Sequence, residues 1–342
     1  MSSLRVRKLE ADDAGRWDSF VQRHPEGTFF HLAAWRTVIE AASGHRAHYL
    51  MVESDGELRG VLPLVHVSSL FFGNALISTP FCVYGGALGD IGPVNALLDA
   101  ACDLARELKV DYLELRNRRR IDRDWPTKDL YVTFRKTIAA DEQANLLAVP
   151  RKQRAMIRKG IDAGLRSTID TDPAQFYSAY SESVHYLGTP VMGRSYFARL
   201  QAAFGDACEI LSVVHQEQVI ASVMSFYFRD EVLPYYGGGS NAARALKGND
   251  FMYWEVMRRA AARGLRVFDY GRSKRNTGSF SFKEHWGFTA EPLPYQYFLV
   301  NSRQLPDVSP SNPKYHLLVR GWKMLPLSVS RIVGPLIARN LG

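Results

Sequence analysis

Alternating apolar and polar blocks along the chain predict a regular order of short strands, turns and helices. Two apolar runs, His48–Glu53 and Leu58–Val67, flank the turn Asp55-Gly56-Glu57, a combination typical of a β-hairpin. Residues Val94–Leu108 carry Leu and Ala at helical spacing and predict a helix. The following run, Asp111–Arg116, predicts the strand that closes this unit.

The second half of the chain repeats the same order of elements. In order, it predicts the strand Glu209–His215, the strand Val219–Phe228, a strand ending at Gly237–Gly239, the helix Asp250–Arg263 and the strand Arg266–Gly271. Corresponding elements of the two halves are roughly 155 residues apart. A constant offset with one order of elements predicts two similar α/β domains.

Composition agrees with two globular domains and excludes several classes of protein. With 342 residues, 46% hydrophobic and 23% charged, the chain is neither disordered, collagen-like nor a coiled coil. The three Cys lie far apart, so neither a disulfide framework nor zinc spacing is present and we expect no metal site. No apolar run resembles a signal peptide or a membrane span, and we therefore expect a cytoplasmic protein.

The positive charge is concentrated in a few segments. The net charge is +8, and Lys and Arg cluster in residues 116–136, 150–166, 258–275 and 303–339. Such clusters indicate an anionic partner: a phosphorylated substrate, a nucleic acid such as tRNA, or a membrane surface. The alternative for each cluster is a solvated face of a basic protein.

Three motifs and the order of elements resemble a known enzyme family. The motifs are Phe268-Asp269-Tyr270-Gly271-Arg272, Phe282-Lys283-Glu284-His285-Trp286-Gly287-Phe288 and Arg151-Lys152-Gln153-Arg154 with Ile157-Arg158-Lys159-Gly160. With the order strand, strand, strand, helix, strand, the chain resembles the FemABX, or BioF2-like, family of tandem GNAT acyltransferases. The tail motifs Asn312–Tyr315 and Trp322–Leu327 also resemble FemAB-related proteins of exosortase (PEP-CTERM) exopolysaccharide systems.

The resemblance implies an α/β (α+β) fold of two tandem GNAT-like domains. Each domain is expected to be a mixed, mainly antiparallel sheet flanked by helices, in which a gap between two splayed strands admits the acyl donor's arm. Residues 1–145 would form the first domain, residues 146–305 the second, and residues 306–342 a basic amphipathic tail. The first domain would be a degenerate copy, because Glu114-Leu115-Arg116-Asn117 stands where the second domain has its Asp-Tyr-Gly-Arg motif.

The function implied by the resemblance is N-acyl transfer. The donor would be an acyl-CoA or an aminoacyl-tRNA, used as a co-substrate, with no tightly bound cofactor. The acceptor would be an amine of a cell-envelope polysaccharide or peptidoglycan-type precursor. Direct attack of an amine on a thioester or ester needs no protein nucleophile, and the sequence contains no G-x-S-x-G or Walker A motif.

Three residues are candidates for the chemistry itself. The resemblance places an oxyanion-stabilising or phosphate-binding lysine at Lys283; otherwise Lys283 is a surface residue of an amphipathic helix. Asp269 ends a predicted central strand, where it either orients an amine, acts as general base, caps the following turn or pairs with Arg272. His285 is a candidate proton acceptor, although adjacent helical residues cannot all face one site.

The candidate substrate-binding residues form three groups. Arg151, Arg154 and Arg158 share one helix face and can bind phosphates or tRNA. The loop that starts at Gly238 and Gly239 precedes a helix, as a pyrophosphate-binding loop would, but it lacks the second glycine of the R/Q-x-x-G-x-G/A pattern. The remaining candidates are Arg244 and Lys247 in that loop, Tyr236, which lines the acceptor cleft or packs in the core, and Tyr270, Arg272 and Phe282 in the two motifs.

Two interpretations compete with an enzyme. The basic clusters fit a nucleic-acid-binding protein without catalysis, which predicts salt-sensitive binding to generic RNA. The tail after residue 310 fits a protein attached peripherally to the inner membrane, with the tail either lying on anionic lipid or packing on its own domain. Pro326 and Pro335 are expected to break this tail into short helices. The oligomeric state is left open.

Overall fold

The structure is a computed structural model that describes residues 3–69, 73–306 and 313–341. The strands are β1 (Arg5–Lys8), β2 (Arg46–Ala47), β3 (Leu50–Ser54), β4 (Glu57–Leu62), β5 (Leu64–Ser69), β6 (Gly73–Ser78), β7 (Leu88–Gly89), β8 (Tyr112–Leu115), β9 (Thr127–Lys128), β10 (Tyr131–Thr137), β11 (Arg166–Asp170), β12 (Cys208–His215), β13 (Gln218–Phe228), β14 (Glu231–Gly239), β15 (Val267–Asp269), β16 (Ser273–Lys274), β17 (Ala290–Pro292) and β18 (Tyr295–Leu299).

The α-helices alternate with these strands. They are α1 (Ala14–Arg23), α2 (Ala34–Ser43), α3 (Ile91–Glu107), α4 (Glu142–Ala148), α5 (Arg151–Asp162), α6 (Ala174–Leu187), α7 (Arg194–Phe204), α8 (Asn241–Leu246), α9 (Gly248–Ala262), α10 (Gly278–His285), α11 (Pro313–Met324) and α12 (Leu327–Ala338). Short 3-10 helices occupy Ala11–Asp13, Phe29–His31 and Gly205–Ala207. Both predicted helices, in the two halves, are present with ends within three residues of expectation.

The chain forms two compact units. The first contains residues up to Leu130 together with residues 293–308 and 339–342, and the second contains Tyr131–Pro292 with residues 309–338. These units differ from the ranges 1–145 and 146–305 because two strands belong to the other half of the chain. Strand β10 pairs with β15, β16 and β17, and β18 pairs with β8 and β9.

The first unit consists of two sheets and three α-helices. One sheet has the strand order β1-β3-β4-β7 and the other has the order β2-β5-β6-β8-β18-β9. The predicted single strand Leu58–Val67 is wrong, because Pro63 separates β4 from β5 and the two strands enter different sheets. Proline lacks the N–H that a continuous strand interior needs. Helix α3 packs its Leu and Ala face on β3 and β4 and covers the core of this unit.

The second unit is built on a twisted sheet with the order β11-β12-β13-β14-β15-β10-β16, to which β17 adds beside β10. Most pairs are antiparallel, and β14 and β15 are parallel. Helices α5 and α9 pack together on one face, where Gly160 allows the Cβ and Cγ atoms of Phe251 to approach. Helix α6 packs on β13 and β14.

The tail forms two helices that pack on α6 in the second unit. The predicted break at Pro326 is confirmed, since α11 ends at Met324 and α12 begins at Leu327. The predicted break at Pro335 is wrong, because α12 continues through this proline to Ala338. A proline inside a helix removes one hydrogen bond, and here the helix ends within one further turn. Residues 307–312 of the predicted tail lie outside the described residues.

Candidate functional site

The central strands of the second unit diverge at their carboxyl ends. Strands β14 and β15 pair only at Glu231–Val232 with Val267–Phe268. Beyond these pairs β15 ends at Asp269, whereas β14 continues to Gly239 with no further strand pairing on this side among the described residues. The divergence leaves this edge of the carboxyl half of β14 without a strand partner in the described part of the chain, so its backbone groups are the place where a ligand can pair with the strand.

A β-bulge and a cluster of aromatic rings shape this half of β14. The pairing of β13 with β14 shifts between Met224 and Ser225, so that Tyr235 is the extra residue of the bulge. Bulges re-aim side chains next to active sites. The hydroxyl of the following residue, Tyr236, lies 2.9 Å from that of Tyr196, and its ring packs edge-to-face on neighbouring aromatic residues. Tyr236 is therefore held by the protein and half-buried.

The three glycines that end β14 are needed for helix packing. A Cβ added to Gly238 would lie 2.7 Å from Ser183 Cβ of α6, and one added to Gly239 would lie 2.7 Å from Ala243 Cβ of α8. At Gly237 an added Cβ would lie 2.9 Å from the Tyr253 hydroxyl. Contacts this short do not occur at real Cβ atoms. The sequence predicted that Gly238 and Gly239 admit a phosphate, and the structure fills the same space with the protein's own helices.

Substitution of Gly238 separates these two explanations. We expect Gly238→Ala to destabilise the protein by about 1–3 kcal/mol, because the methyl group overpacks the contact between β14 and α6. The control Gly15→Ala, in helix α1 with no atom within 4 Å of its Cβ position, should instead stabilise by about 0.5–1 kcal/mol. Urea unfolding of both variants measures the difference. If Gly238→Ala keeps wild-type stability but loses affinity for coenzyme A, the glycine serves the ligand.

Lys283 is buried and holds the loop that follows β15. Helix α10 begins after Thr277, whose hydroxyl accepts from the Phe280 N–H, and this places Lys283 on the inner face. Its Nζ donates to the carbonyls of Tyr270 (2.8 Å), Gly271 (2.9 Å) and Arg272 (3.2 Å). An ammonium has three N–H donors, so these carbonyls occupy all of them. The surface-lysine alternative is excluded by this burial.

Two opposing effects set the pKa of Lys283. Burial lowers the pKa of Lys283 to about 7, and the carboxylate of Asp269 partly opposes that shift. A lysine with this pKa changes charge near neutral pH, which is rare for a residue with a purely structural role. If a bound substrate displaces one carbonyl of the loop, Lys283 can stabilise negative charge on that substrate. With all three carbonyls in place, Lys283 positions the loop.

Both carboxylate oxygens of Asp269 accept hydrogen bonds from other groups of the protein. Its Oδ1 accepts from the Gly271 N–H at 2.7 Å and from the Thr133 hydroxyl at 3.4 Å, and its Oδ2 accepts from Arg135 Nε at 3.1 Å. Arg135 also pairs with Glu231 of β14. This geometry favours the capping role, with Arg135 rather than Arg272 as the partner. The guanidinium of Arg272 lies instead 4.5 Å from the ring centre of Tyr131.

The structure separates His285 from the other two predicted catalytic residues. His285 is exposed on α10, about 200° around the helix from the buried Lys283. Phe282 and Tyr270 do come together: their rings pack with Tyr253 of α9 in one aromatic cluster. The buried Tyr270 hydroxyl has no hydrogen-bond partner within the described ranges. We therefore retain Tyr270 as a candidate polar contact for a ligand.

Tyr253 is a site residue that the sequence analysis missed. It lies on α9, with its hydroxyl beside Gly237 and its ring 4.9 Å from that of Tyr270. Burial raises the pKa of Tyr253 to about 12, so it is a neutral donor at physiological pH. One signal in the sequence could have identified Tyr253, namely its place in the first turn of the predicted helix Asp250–Arg263. First-turn residues lie nearest the end of the strand that precedes the helix.

A cationic cavity of about 510 Å³ lies where β14 meets α8. Its lining includes Gly239, Asn241, Arg244, His185, Tyr186 and Lys323. Arg244 stacks on Tyr186 with its guanidinium carbon 3.8 Å from the ring centre. The Nε2 of His185 and the Oγ of Ser240 nearby are buried without partners in the part of the chain that the structure describes. Unsatisfied polar groups beside arginine and lysine suit a phosphorylated ligand.

The other predicted binding residues lie outside this cavity's lining. Lys247 connects α8 to α9 in the left-handed region (φ 62°), and its Nζ lies 3.4 Å from the Arg244 carbonyl. Arg151 and Arg158 are exposed on α5, and Arg154 donates to the Leu147 carbonyl at 3.1 Å. The structure is therefore equally compatible with both interpretations of this face of α5, a solvated surface and a phosphate-binding surface.

A second basic cavity, of about 330 Å³, lies within the first unit. Its lining includes Gly85, Gly86, Asn117, Arg118, Arg119 and Arg120. Asn117 Oδ1 accepts from the Ala87 N–H at 3.2 Å, while its buried Nδ2 has no partner among the described residues. Any Cβ on Gly86 would overlap Asn117, so the Gly-Gly pair is what lets this amide reach the loop. The sequence analysis considered this unit degenerate and named none of these residues as a site.

A buried histidine fixes the loop of this second cavity. The ring Nδ1 of His31 accepts from the Thr28 N–H at 3.2 Å, so Nε2 carries the proton and donates to the Gly86 carbonyl at 3.1 Å. Burial lowers the pKa of His31 to about 4, which keeps the ring neutral near pH 7. The cations of the cavity are therefore its arginines. Arg119 pairs with Glu26 at 3.3 Å, and Arg118 stacks on Tyr84.

Comparisons with known proteins agree with this geometry. Residues 151–284 match the family described as Acetyltransferase (GNAT) domain, Acetyltransf_6. No curated protein matches the sequence. The structure is similar to the crystal structure of FemX (TM-score 0.69, 16% identity), covering 92% of this chain and 100% of FemX. It is also similar to a tandem GNAT protein from the clavulanic acid biosynthesis pathway (TM-score 0.54, 13% identity), covering 89% of this chain and 100% of that one.

These similarities confirm the predicted fold class. Identities this low show the fold and carry no substrate with them. The sequence match covers the segment that contains α5, the diverging strands and Lys283, and it supports an acyltransferase. Residues 151–284 thus match a GNAT acetyltransferase domain, and the mixed α/β fold of the chain is similar to those of FemX and a tandem GNAT protein.

Proposed function

We propose that this protein is an N-acyltransferase of FemABX type that moves an acyl group from acyl-CoA to an amine of a cell-envelope polysaccharide or peptidoglycan-type precursor. The observation that carries the proposal is the divergence of β14 from β15 inside the segment that matches the GNAT acetyltransferase domain. The fold shared with FemX supports the FemABX type. An exosortase-linked exopolysaccharide system is the narrower proposal, and the tail motifs support it.

The reaction requires only positioning and charge stabilisation from the protein. The acceptor's amine nitrogen attacks the thioester carbonyl, the new C–N bond forms, and the negative charge moves to the carbonyl oxygen. That intermediate collapses with cleavage of the C–S bond, and the coenzyme A thiolate leaves while the amine loses a proton. We assign stabilisation of the oxyanion to Lys283, which would exchange one of its loop carbonyls for the substrate, and to backbone N–H groups of β14 beyond its pairs with β15.

The cationic cavity beside β14 favours acyl-CoA over aminoacyl-tRNA as the donor. Among the described residues, Arg244 and Lys323 line one cavity together with the unpartnered Nε2 of His185, and they outnumber its one carboxylate, Glu182. A concave site with several donors suits the compact phosphates of coenzyme A. The arginines of α5 present an exposed helix face, which would suit a long polyanion such as tRNA, and aminoacyl-tRNA remains the second donor to be tested.

The basic cavity of the first unit supports the expectation of an anionic, phosphorylated substrate. Arginines are well suited to bidentate contact with phosphate, and a buried amide N–H without a partner supplies a further donor. Nucleotide-linked and lipid-linked precursors carry a diphosphate group that these donors would contact. We therefore propose that this cavity binds the phosphate group of the acceptor.

Calorimetric titration of the full chain with coenzyme A, acetyl-CoA and charged tRNA, in parallel, tests the donor. We expect the two CoA species to bind, and Arg244→Ala to weaken them about tenfold, as for one lost charge-assisted hydrogen bond. The exposed Arg166, paired with Glu217, gives the control Arg166→Ala, which should bind normally. Titration with inorganic pyrophosphate, with and without Arg120→Ala, tests the first unit in the same way.

Each outcome of this experiment has a defined meaning. Binding of aminoacyl-tRNA alone would replace the donor and keep the reaction. If none of the three ligands binds, that result would contradict the proposal of an enzyme and favour the non-catalytic scaffold. Generic RNA binding that falls steeply with salt, without acyl transfer, would favour the nucleic-acid-binding alternative.

A further inference from the structure

Helix α12 has its large apolar side chains on the side away from its own domain. The residues of α12 that are buried are small: Ser330, Gly334 and Ala338. The exposed fractions of Val329, Ile332 and Leu336 are 38%, 74% and 56%. At about 100° per residue these three share an arc of about 60°, opposite the small residues. An ordinary surface helix shows the reverse arrangement.

The inward face of α12 explains its small residues but not its outward ones. A Cβ on Gly334 would lie 3.0 Å from the Val191 carbonyl oxygen, so α12 approaches the segment between α6 and α7 closely. Arg331 adds hydrogen bonds from its guanidinium to the Ser181 hydroxyl and the Ser178 carbonyl. These contacts fix the helix without using Ile332 or Val329, whose exposure to water is unfavourable unless another surface covers them.

The apolar surface extends from α12 to neighbouring elements. On α11 the exposed fractions of Leu318 and Met324 are 66% and 79%. At the end of α6, Leu187 is exposed at 63%, and the next residue, Gly188, packs against Val319 and Lys323 of α11. Large apolar side chains from α6, α11 and α12 therefore reach solvent in one packed group of helices. We call Leu187, Leu318, Met324, Val329 and Ile332 the tail surface.

The positive charge of the tail indicates which kind of partner fits the tail surface. Residues 308–342 contain five Lys or Arg and neither Asp nor Glu. Arg320 and Lys323 are exposed on α11, beside the tail surface. Glu182 of α6 lines a cavity together with Lys323, so cations outnumber carboxylates here rather than stand alone. Apolar side chains with a border of net positive charge complement a surface that is apolar inside and anionic at its boundary. A bilayer with anionic headgroups has this composition, and each basic residue near it contributes about 1 kcal/mol.

We propose that the tail surface docks this protein on an anionic lipid bilayer, with α11 and α12 lying in the plane of the interface. Helix α12 has 12 residues and is therefore about 18 Å long, well short of the roughly 30 Å of a hydrocarbon core. None of the described helices is long and apolar enough to cross a membrane. In-plane docking buries Ile332 and Val329 in the headgroup boundary and leaves Arg320 among the phosphates.

Liposome sedimentation of the full chain tests this inference. We expect the wild-type protein to sediment with vesicles of phosphatidylglycerol and phosphatidylcholine at low salt, and to bind pure phosphatidylcholine at least about tenfold more weakly. Ile332→Glu should weaken binding to the anionic vesicles about tenfold or more, because a carboxylate replaces a buried apolar side chain. Leu147→Glu is the matched control: Leu147 is 60% exposed on α4, and its variant should bind as the wild type does.

The remaining measurements decide against other occupants and against misfolding. Circular dichroism and melting temperature should be unchanged in Ile332→Glu, since this side chain is already exposed. Wild-type protein that stays in the supernatant with anionic vesicles would overturn the proposal. So would sedimentation that Ile332→Glu leaves unchanged. A dimer in analytical ultracentrifugation that Ile332→Glu dissociates, without any vesicle binding, would assign the surface to a second copy of the chain instead.

Discussion

Replacing Lys283 by methionine is expected to lower kcat for acyl transfer by about a hundredfold or more, the usual loss on removing one oxyanion-stabilising group. Methionine fills similar volume but cannot donate, so the carbonyls of Tyr270, Gly271 and Arg272 lose their shared partner. Steady-state kinetics of the purified variant with acyl-CoA and an amine acceptor measure the effect. A variant with full turnover would remove Lys283 from the mechanism.

The pH profile shows which form of Lys283 acts. Its pKa of about 7 means that the ammonium predominates below that pH and the neutral amine above it. If the ammonium stabilises the oxyanion, the ratio of wild-type to Lys283→Met kcat should fall as pH rises through about 7. Taking the ratio cancels the titration of the acceptor amine, which affects both proteins equally. A ratio that rises with pH would instead identify the neutral amine as a base.

The same pKa predicts the pH dependence of stability. The folded pKa of Lys283, about 7, lies below its ordinary value of 10.5, so between these two pH values the unfolded chain holds a proton that the folded chain lacks. Stability rises with pH wherever the unfolded state binds more protons. The wild type should therefore gain stability relative to Lys283→Met from about pH 7 to pH 9, by about 2 kcal/mol. A constant difference over this range would indicate that the ammonium stays charged in the folded protein.

The two-unit plan could be predicted because it depends on local signals. The turn Asp55-Gly56 places both residues at positive φ (51° and 79°), as an Asp-Gly hairpin turn requires. The helix before Gly264 ends with that glycine at φ +77°, the left-handed conformation that glycine favours. These features act within a few residues, and the corresponding positions of the other half, Gln216-Glu217 and Lys109, also have positive φ.

The exchange of strands between the units could not be predicted in this way. Strand β10 follows the first unit directly in sequence yet pairs with β15, and β18 follows the second yet pairs with β8. Alternation of apolar and polar residues indicates a strand but not the sheet that it joins, because long-range pairing depends on chain connections between distant elements. The range 1–145 implied by the resemblance includes β10, whereas β10 lies in the second compact unit.

The candidate site was predicted in its residue types and only partly in its geometry. The motif around Lys283 gave the correct helix, but the sequence could not show that the ammonium faces three carbonyls. The glycines Gly238 and Gly239 were found at the end of β14, and their helix contacts became visible only in the packed structure. Asn117 was missed because an asparagine among arginines has no helical or strand periodicity to mark it.

Asp269 tests the difference between a base and a positioning residue. We expect Asp269→Ala to destabilise the protein by about 3 kcal/mol, since it removes the acceptor of the Gly271 N–H and one of the two carboxylates, Asp269 and Glu231, that pair with Arg135. Asp269→Asn keeps an amide oxygen for the Gly271 N–H and should lose less stability. At a temperature where it is folded, its kcat should stay within about tenfold of wild type, because Asp269 acts through the loop.

The control Glu231→Gln separates the charge pair from the turn. It removes the other carboxylate on Arg135 without touching the Gly271 N–H, so it should lower stability and leave the position of the Tyr270–Arg272 loop unchanged. Residues that share one partner do not act independently, and the double variant with Asp269→Asn should therefore deviate from additivity by about 1 kcal/mol. A general base would behave differently. Asp269→Asn would then lose about a hundredfold or more in kcat, Glu231→Gln would lose none, and the loss would lack any counterpart in stability.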